Sequence, residues 1–266
     1  MTAPRVTRPA GPAGFRAALE RLRSAQKSSK GAPAYSLYVN RPLGRIFAAA
    51  AFQLGLTPNQ VTVISAGFTF AGIAVLALAP LSWWIGLVVG SLLVLGYALD
   101  SADGQLARLR GGGSSTGEWL DHMIDSGKIV CLHLAVLIML ARRVDLPTGW
   151  LFVVPMIFAA VSTVHFFGMI LVEQLGREHR AKLGLPTPPK QVASRGKTLA
   201  KIPTDYGVLC LAFLLLGAPM IFLGVYSVLA LGSAGYLLLI LRKWYGDVAA
   251  LDADVSLASD ASAGAR

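Results

Sequence analysis

The chain has 266 residues, of which 55% are hydrophobic and only 14% charged, and its mean hydropathy is +0.60. A soluble domain carries roughly 25% charged residues, so this composition excludes a disordered chain, argues against a water-soluble fold and leaves a membrane protein as the expected class. The formal net charge of +10 reads as cations facing cytoplasm and anionic lipid rather than nucleic acid.

Residues 1–12 are rich in Pro, Gly and Ala and are expected to be disordered. Residues 13–28 fit a basic helix, with Phe15, Leu19 and Leu22 near one stripe and Arg16, Arg21, Arg23 and Lys27 elsewhere. Residues 41–54 fit a second, more apolar surface helix that ends at Gly55. Both patterns suit helices in the cytoplasmic interface or helices packed on protein. The first 35 residues lack the apolar core of a secretory signal, so the amino terminus is expected to remain in the mature protein.

Six stretches approach the ~20 apolar residues that cross hydrocarbon: 59–79, 83–108, 117–141, 148–171, 205–216 (extending at most to 221) and 223–241. The fifth is short and is interrupted by Gly217 and Pro219. Residues 247–266 are mostly Ala, Ser and Asp, which predicts a disordered tail. The expected organisation is a cytoplasmic or interfacial segment over 1–55, an all-α membrane domain of six helices over 56–245, and a tail over 246–266. Cys131 and Cys210 lie in apolar runs and read as packing residues.

Loop charge sets the orientation. Of the Lys and Arg residues outside the spans or at their ends, 21 fall on one side and only Arg142 and Arg143 on the other. The cationic side is cytoplasmic. Both termini, the 109–116 loop and the 173–204 loop are expected there.

Four aspartates interrupt two of these apolar stretches. Asp100 and Asp103 are three residues apart, and Asp121 and Asp125 are four apart, so each pair shares a helix face. Asp100 precedes Arg108 by eight residues and Asp125 follows Gly117 by eight. At ~1.5 Å per residue, both lie roughly 12 Å from their helix ends. A tight hairpin across the Gly/Ser-rich linker would set Asp100 level with Asp125 and Asp103 level with Asp121. An intramembrane charge costs several kcal/mol unless it is paired, hydrated or metal-bound. Protonation relieves such crowding in a proton relay. Mg²⁺ or Mn²⁺ relieves it better, and two such ions balance four carboxylates and can clamp a phosphoryl group. Gly104 and Ala107 leave room for a ligand or a neighbouring helix, and Arg108 at the rim suits a diphosphate or simply snorkels.

The run from Asp100 to Asp125 reads D-x2-D-G-x2-A-R-x8-G-x3-D-x3-D. It resembles the signature of the CDP-alcohol phosphotransferase (phosphatidyltransferase) family at every fixed position: Asp100, Asp103, Gly104, Ala107, Arg108, Gly117, Asp121 and Asp125. The six-span pattern extends the resemblance over roughly 40–245, and the run from Gly55 to Thr62 resembles the family's entry into its first span. The resemblance implies transfer of a substituted phosphate from a CDP-linked alcohol to an acceptor hydroxyl, with release of CMP. It implies that Asp100, Asp103 and Asp121 bind metal, with Asp125 a ligand and the general base. It also implies that Asp103, Gly104, Ala107 and Arg108 line the CDP pocket, with Gly117 allowing close approach, and it suggests a homodimer.

Lys128 follows Asp125 by three residues, where it either neutralises the carboxylates or meets acceptor or diphosphate. Arg195, Lys197 and Lys201 lie on the same side as the acidic cluster. They suit a phosphorylated acceptor or lipid head groups, and equally serve topology. His122, His133 and His165 lack metal-ligand spacing and read as packing or hydrogen-bonding residues. The run from Ser194 to Thr198 resembles the end of a phosphate loop but lacks the upstream glycine and strand.

The leading expectation is a membrane phosphatidyltransferase of phospholipid biosynthesis, using CDP-diacylglycerol and a polar alcohol or polyol phosphate. The same signature serves a soluble CDP-alcohol donor and a lipid acceptor. A divalent-metal or proton-coupled transporter would also hold buried acids, but paired broken helices in two halves are missing. A structural scaffold leaves the four acids without a role.

Overall fold

A computed structural model of the chain describes residues 12–24, 32–145, 147–186 and 201–263. Among these residues the regular structure is entirely helical. Helix α1 (Pro12–Ser24) and helix α2 (Arg41–Gln53) precede the long helices. Gly55 turns the chain after α2 with a φ of 80°. Helix α3 (Pro58–Leu78) then opens with a reciprocal capping box: Gln60 N donates to Thr57 Oγ1, and Thr57 N donates to Gln60 Oε1. Helix α4 (Trp83–Leu109) is capped by Ser82, and helix α5 (Ser115–Arg143) by Ser114. Helix α6 covers Val153–Lys182.

Among the described residues, five helical stretches are long and apolar enough to cross a membrane: 58–78, 83–109, 115–143, 149–182 and 219–252. The expected fifth span differs. Residues Tyr206–Ala212 form a short helix, α7, followed by a 3₁₀ segment over Phe213–Gly217. Pro219 cannot continue the hydrogen-bond ladder, so the chain restarts there as α8 (Pro219–Ala263). The short element sits close against α4. A Cβ on Gly86 would come within 2.8 Å of the Phe213 carbonyl oxygen, and one on Gly90 within 2.8 Å of Leu214 Cδ2.

Two boundaries correct the sequence reading. α6 runs past 171 into residues expected to be loop, with ion pairs Arg177–Glu173 (2.9 Å) and Lys182–Glu178 (2.8 Å) one turn apart. α8 continues through Ala263 instead of ending near 241 before a disordered tail. The Ala-rich stretch after 247 has high helix propensity, which composition alone understates. Residues 1–11 lie outside the described residues.

The long elements close into a ring. α3 packs against α4 and α5, α5 against α6, α6 against α8, α8 against the 3₁₀ segment, and that segment against α4. Away from the α4–α5 linker the ring is filled by Leu93, Leu132, Met139, Phe213, Phe222 and Tyr226. At the linker end a second apolar cluster joins Ala18, Leu22, Ala48 and Phe52 of α1 and α2 to Val61, Ala102, Leu106 and Leu109. One face of each amino-terminal helix is therefore packed on protein, while Ile46 of α2 and Leu54 just after it remain exposed.

Candidate active site

The linker end of α3, α4 and α5 is held by polar bonds. Ser65 on α3 donates to the Gly96 carbonyl on α4 at 2.8 Å. A Cβ on Gly96 would fall 2.2 Å from Thr69 Oγ1, so only glycine allows this approach. Arg110 donates to the Leu56 carbonyl at 2.6 Å. Gln105 donates to the Arg41 carbonyl (3.1 Å) and to Ser101 Oγ (3.2 Å), tying α4 to α2.

The hairpin is looser than its linker suggests. α4 and α5 barely touch each other, because both pack on α3. The resulting gap is where the aspartates meet. Asp100, Asp103 and Asp121 each offer an oxygen within 4.8 Å of the others. Thr62 on α3 donates to Asp103 Oδ2 at 2.6 Å and orients that carboxylate. Asp125 is drawn off to Lys128, whose Nζ lies 3.1 Å from Asp125 Oδ1 and 2.5 Å from Asp100 Oδ1. The ammonium thus ties the fourth carboxylate to the other three across the gap.

A hard divalent cation fits this donor set. Three converging carboxylate oxygens are the ligands Mg²⁺ and Mn²⁺ prefer. Gly104, one residue after Asp103, has Arg108 Nη1 3.5 Å from where its Cβ would stand. The flank of the site is therefore open beneath a guanidinium. A Cβ on Gly117 would meet Asn59 Oδ1 at 3.0 Å, so its smallness lets α5 come close to the start of α3.

A cavity of about 520 Å³ begins at Asp100, Asp125 and Lys128 and runs inside the ring. Tyr97, Leu132, Phe158, Tyr236 and Trp244 supply much of its wall. His133 bonds Tyr226 Oη at 2.6 Å and Ser162 Oγ at 3.2 Å, and His165 stacks on Trp244. His133 thus has hydrogen-bonding partners and His165 an aromatic one. Lys201 lines the same cavity with Nζ 5.6 Å from the Tyr236 ring centre. Arg195 and Lys197 lie outside the described residues. At the cavity edge Asp205 caps α7, accepting from Gly207 N at 3.2 Å and from Tyr35 N at 2.7 Å. Burial pushes the Asp205 carboxyl up, and the amides of Tyr35, Gly207 and Ser36 oppose that rise.

Sequence reading missed Thr62, Ser65 and Asp205. A hydroxyl one turn inside an apolar helix is a weak signal, and Asp205 sits far along the chain from the cluster it borders.

Comparison with known proteins bears on this geometry. The family model described as CDP-alcohol phosphatidyltransferase matches residues 55–240. The chain belongs to the CDP-alcohol phosphatidyltransferase family. Archaetidylinositol phosphate synthase of Pyrococcus horikoshii is 38% identical over 89 residues, 33% of this chain and 43% of that protein. Phosphatidylinositol phosphate synthase of Mycolicibacterium smegmatis is 45% identical over 85 residues, 31% of this chain and 36% of that protein. The aligned region thus spans less than half the length of these curated relatives. The crystal structure of Mycobacterium tuberculosis phosphatidylinositol phosphate synthase in complex with manganese and citrate shares the fold, with a TM-score of 0.50 at 20% identity, covering 78% of this chain and 89% of that one.

Proposed function

We propose that this protein is a metal-dependent phosphatidyltransferase that joins the phosphatidyl group of CDP-diacylglycerol to a polar alcohol or polyol phosphate and releases CMP. The observation that carries the reading is the meeting of Asp100, Asp103 and Asp121 across the α4–α5 gap in a chain bearing the full family signature. The relatives named as inositol lipid phosphate synthases favour a polyol phosphate as acceptor.

Asp100, Asp103 and Asp121 would hold Mg²⁺ or Mn²⁺, with Asp125 facing the same gap. Bound metal would supply Lewis-acid stabilisation of the diphosphate and of the departing CMP. Arg108, beside Gly104, would hold the diphosphate at the rim. The acceptor alcohol would enter from the cavity and present its hydroxyl to Asp125. Asp125 takes the hydroxyl proton as the oxygen bonds to the phosphorus bearing diacylglycerol, and the bond from that phosphorus to CMP breaks. Lys201 lies where a phosphorylated acceptor would meet a cation. The loop charges would put both termini and this site on the cytoplasmic side. That position suits one reactant in the bilayer and one in water.

The test is CMP release by the purified protein in nanodiscs, with radiolabelled CDP-diacylglycerol and Mg²⁺. Inositol phosphate, glycerol phosphate, serine, inositol and phosphatidylglycerol serve as acceptors. One acceptor should give a labelled lipid, and Asp125→Asn should abolish transfer while keeping CDP-diacylglycerol binding. Metal-dependent ion flux into vesicles, with no CMP from any acceptor, would replace the enzyme by a transporter.

A further inference from the structure

Asp205 is a carboxylate buried at the cavity edge, 1% exposed, and the proposed chemistry leaves it without a part. Its two oxygens serve different parts of the chain. Oδ1 accepts from Gly207 N at 3.2 Å and so caps α7. Oδ2 accepts from Tyr35 N at 2.7 Å, 170 residues away in sequence, and the Ser36 amide also donates to the carboxylate. A cap needs only one oxygen, and a serine hydroxyl would supply it. The second oxygen holds the segment before α2. Resting on the reading that the acceptor enters through this cavity, we infer that Asp205 is a positioning residue: it clasps the segment over 33–36 to α7 and thereby fixes one wall of the acceptor's binding site.

The surroundings fit such a clasp. A Cβ on Gly207 would run into the Tyr35 ring, so α7 offers bare backbone where the segment lands. The Tyr35 ring stacks on Tyr97 of α4 with centroids 6.2 Å apart, and Tyr97 meets Tyr206 edge-on at 5.1 Å. Pro33, Tyr97, Thr204, Asp205 and Tyr206 all line the cavity. The clasp reaches Lys201 as well. Asp205 N donates to the Ile202 carbonyl at 3.1 Å, and Thr204 Oγ1 donates to the Lys201 carbonyl at 3.0 Å. Ser233 of α8 donates to the Pro203 carbonyl at 2.8 Å. One carboxylate therefore joins the amino-terminal segment, α7 and the turn that follows Lys201. Asp103 of the carboxylate triad is oriented separately, by Thr62 of α3. Loss of the clasp should weaken acceptor binding and leave metal binding as it is.

The experiment separates capping from clasping, with Asp205→Ser and Gly207→Ala in nanodiscs. Serine keeps a cap for α7 but is too short to hold Tyr35. Hydrogen exchange read by mass spectrometry follows the amides of 34–37. Steady-state CMP release gives KM for the acceptor and for CDP-diacylglycerol. Asp205→Ser should speed exchange over 34–37 and raise the acceptor KM about tenfold, the loss of one hydrogen bond to a charged group. The KM for CDP-diacylglycerol, kcat at saturating acceptor and Mn²⁺ affinity should stay at their wild-type values. Gly207→Ala leaves the carboxylate in place but displaces Tyr35, and it should give the same split. A wild-type acceptor KM in Asp205→Ser would overturn the inference. So would equal losses in kcat and both KM values, which mark a cap that serves folding alone. Fast exchange over 34–37 in the wild type itself would overturn it whether or not a variant folds, and would leave the phosphatidyltransferase reading intact. No CMP from the wild type with any acceptor would remove that reading and this inference with it.

Discussion

The α3–α4 seam and the α4–α5 gap lie side by side at one end of the ring, and they are built on opposite principles. The seam is closed by small and hydroxyl-bearing residues: Ser65 and Thr69 on one helix meet Gly96 on the other. Membrane helices lack a hydrophobic drive to associate and rely on such close packing. The gap is lined by carboxylates that repel each other, and a lysine and the proposed metal hold it together. The seam fixes where α4 stands, so that α5, bound to the same α3, presents its charges at a defined distance.

Four substitutions test that contrast. The largest effect is expected in the gap: Asp121→Asn should lower transfer on the order of 10²–10³-fold, measured as CMP release, with bound Mn²⁺ lost in parallel. Normal turnover would show that the triad is not the working centre. Thr62→Val crosses from seam to gap, because it removes the bond that orients Asp103. It should weaken Mn²⁺ binding about 10–100-fold, read by the same titration. Gly96→Val attacks the seam alone. Its side chain has no room beside Thr69, and thermal unfolding in detergent should show a loss of roughly 1–3 kcal/mol. Ser65→Ala is the mildest, costing about 0.6 kcal/mol for one interhelical hydrogen bond. A large effect on Mn²⁺ binding from Ser65→Ala would mean that its contact with Lys128 outweighs its contact with Gly96.

The gap was more legible in the sequence than the seam. Carboxylates in apolar helices stand out, and helical spacing alone pairs Asp100 with Asp103 and Asp121 with Asp125. The seam left only small residues among many, and nothing in the spacing distinguishes Gly96 from Gly67, whose Cβ would meet nothing within 4 Å. Apolar periodicity also does not name a helix's neighbour. The tight α4–α5 hairpin was therefore a reasonable reading of a short linker, and the packing of both helices on α3 was not readable. Five long helices matched the hydropathy pattern, whereas the expected fifth stretch, 205–216, broke into α7 and a 3₁₀ segment where Gly217 and Pro219 punctuate it. Family membership adds the chemistry that residue spacing left open between relay, transporter and transferase.

The turn between α4 and α5 has one further consequence. Five residues, 110–114, join the two helices, and Gly111 and Gly112 take φ values of 100° and 138° that other residues rarely adopt. A chain of this length reaches about 20 Å when drawn straight. It acts as a tether: at this end the separation of the two helices has a fixed ceiling set by covalent bonds.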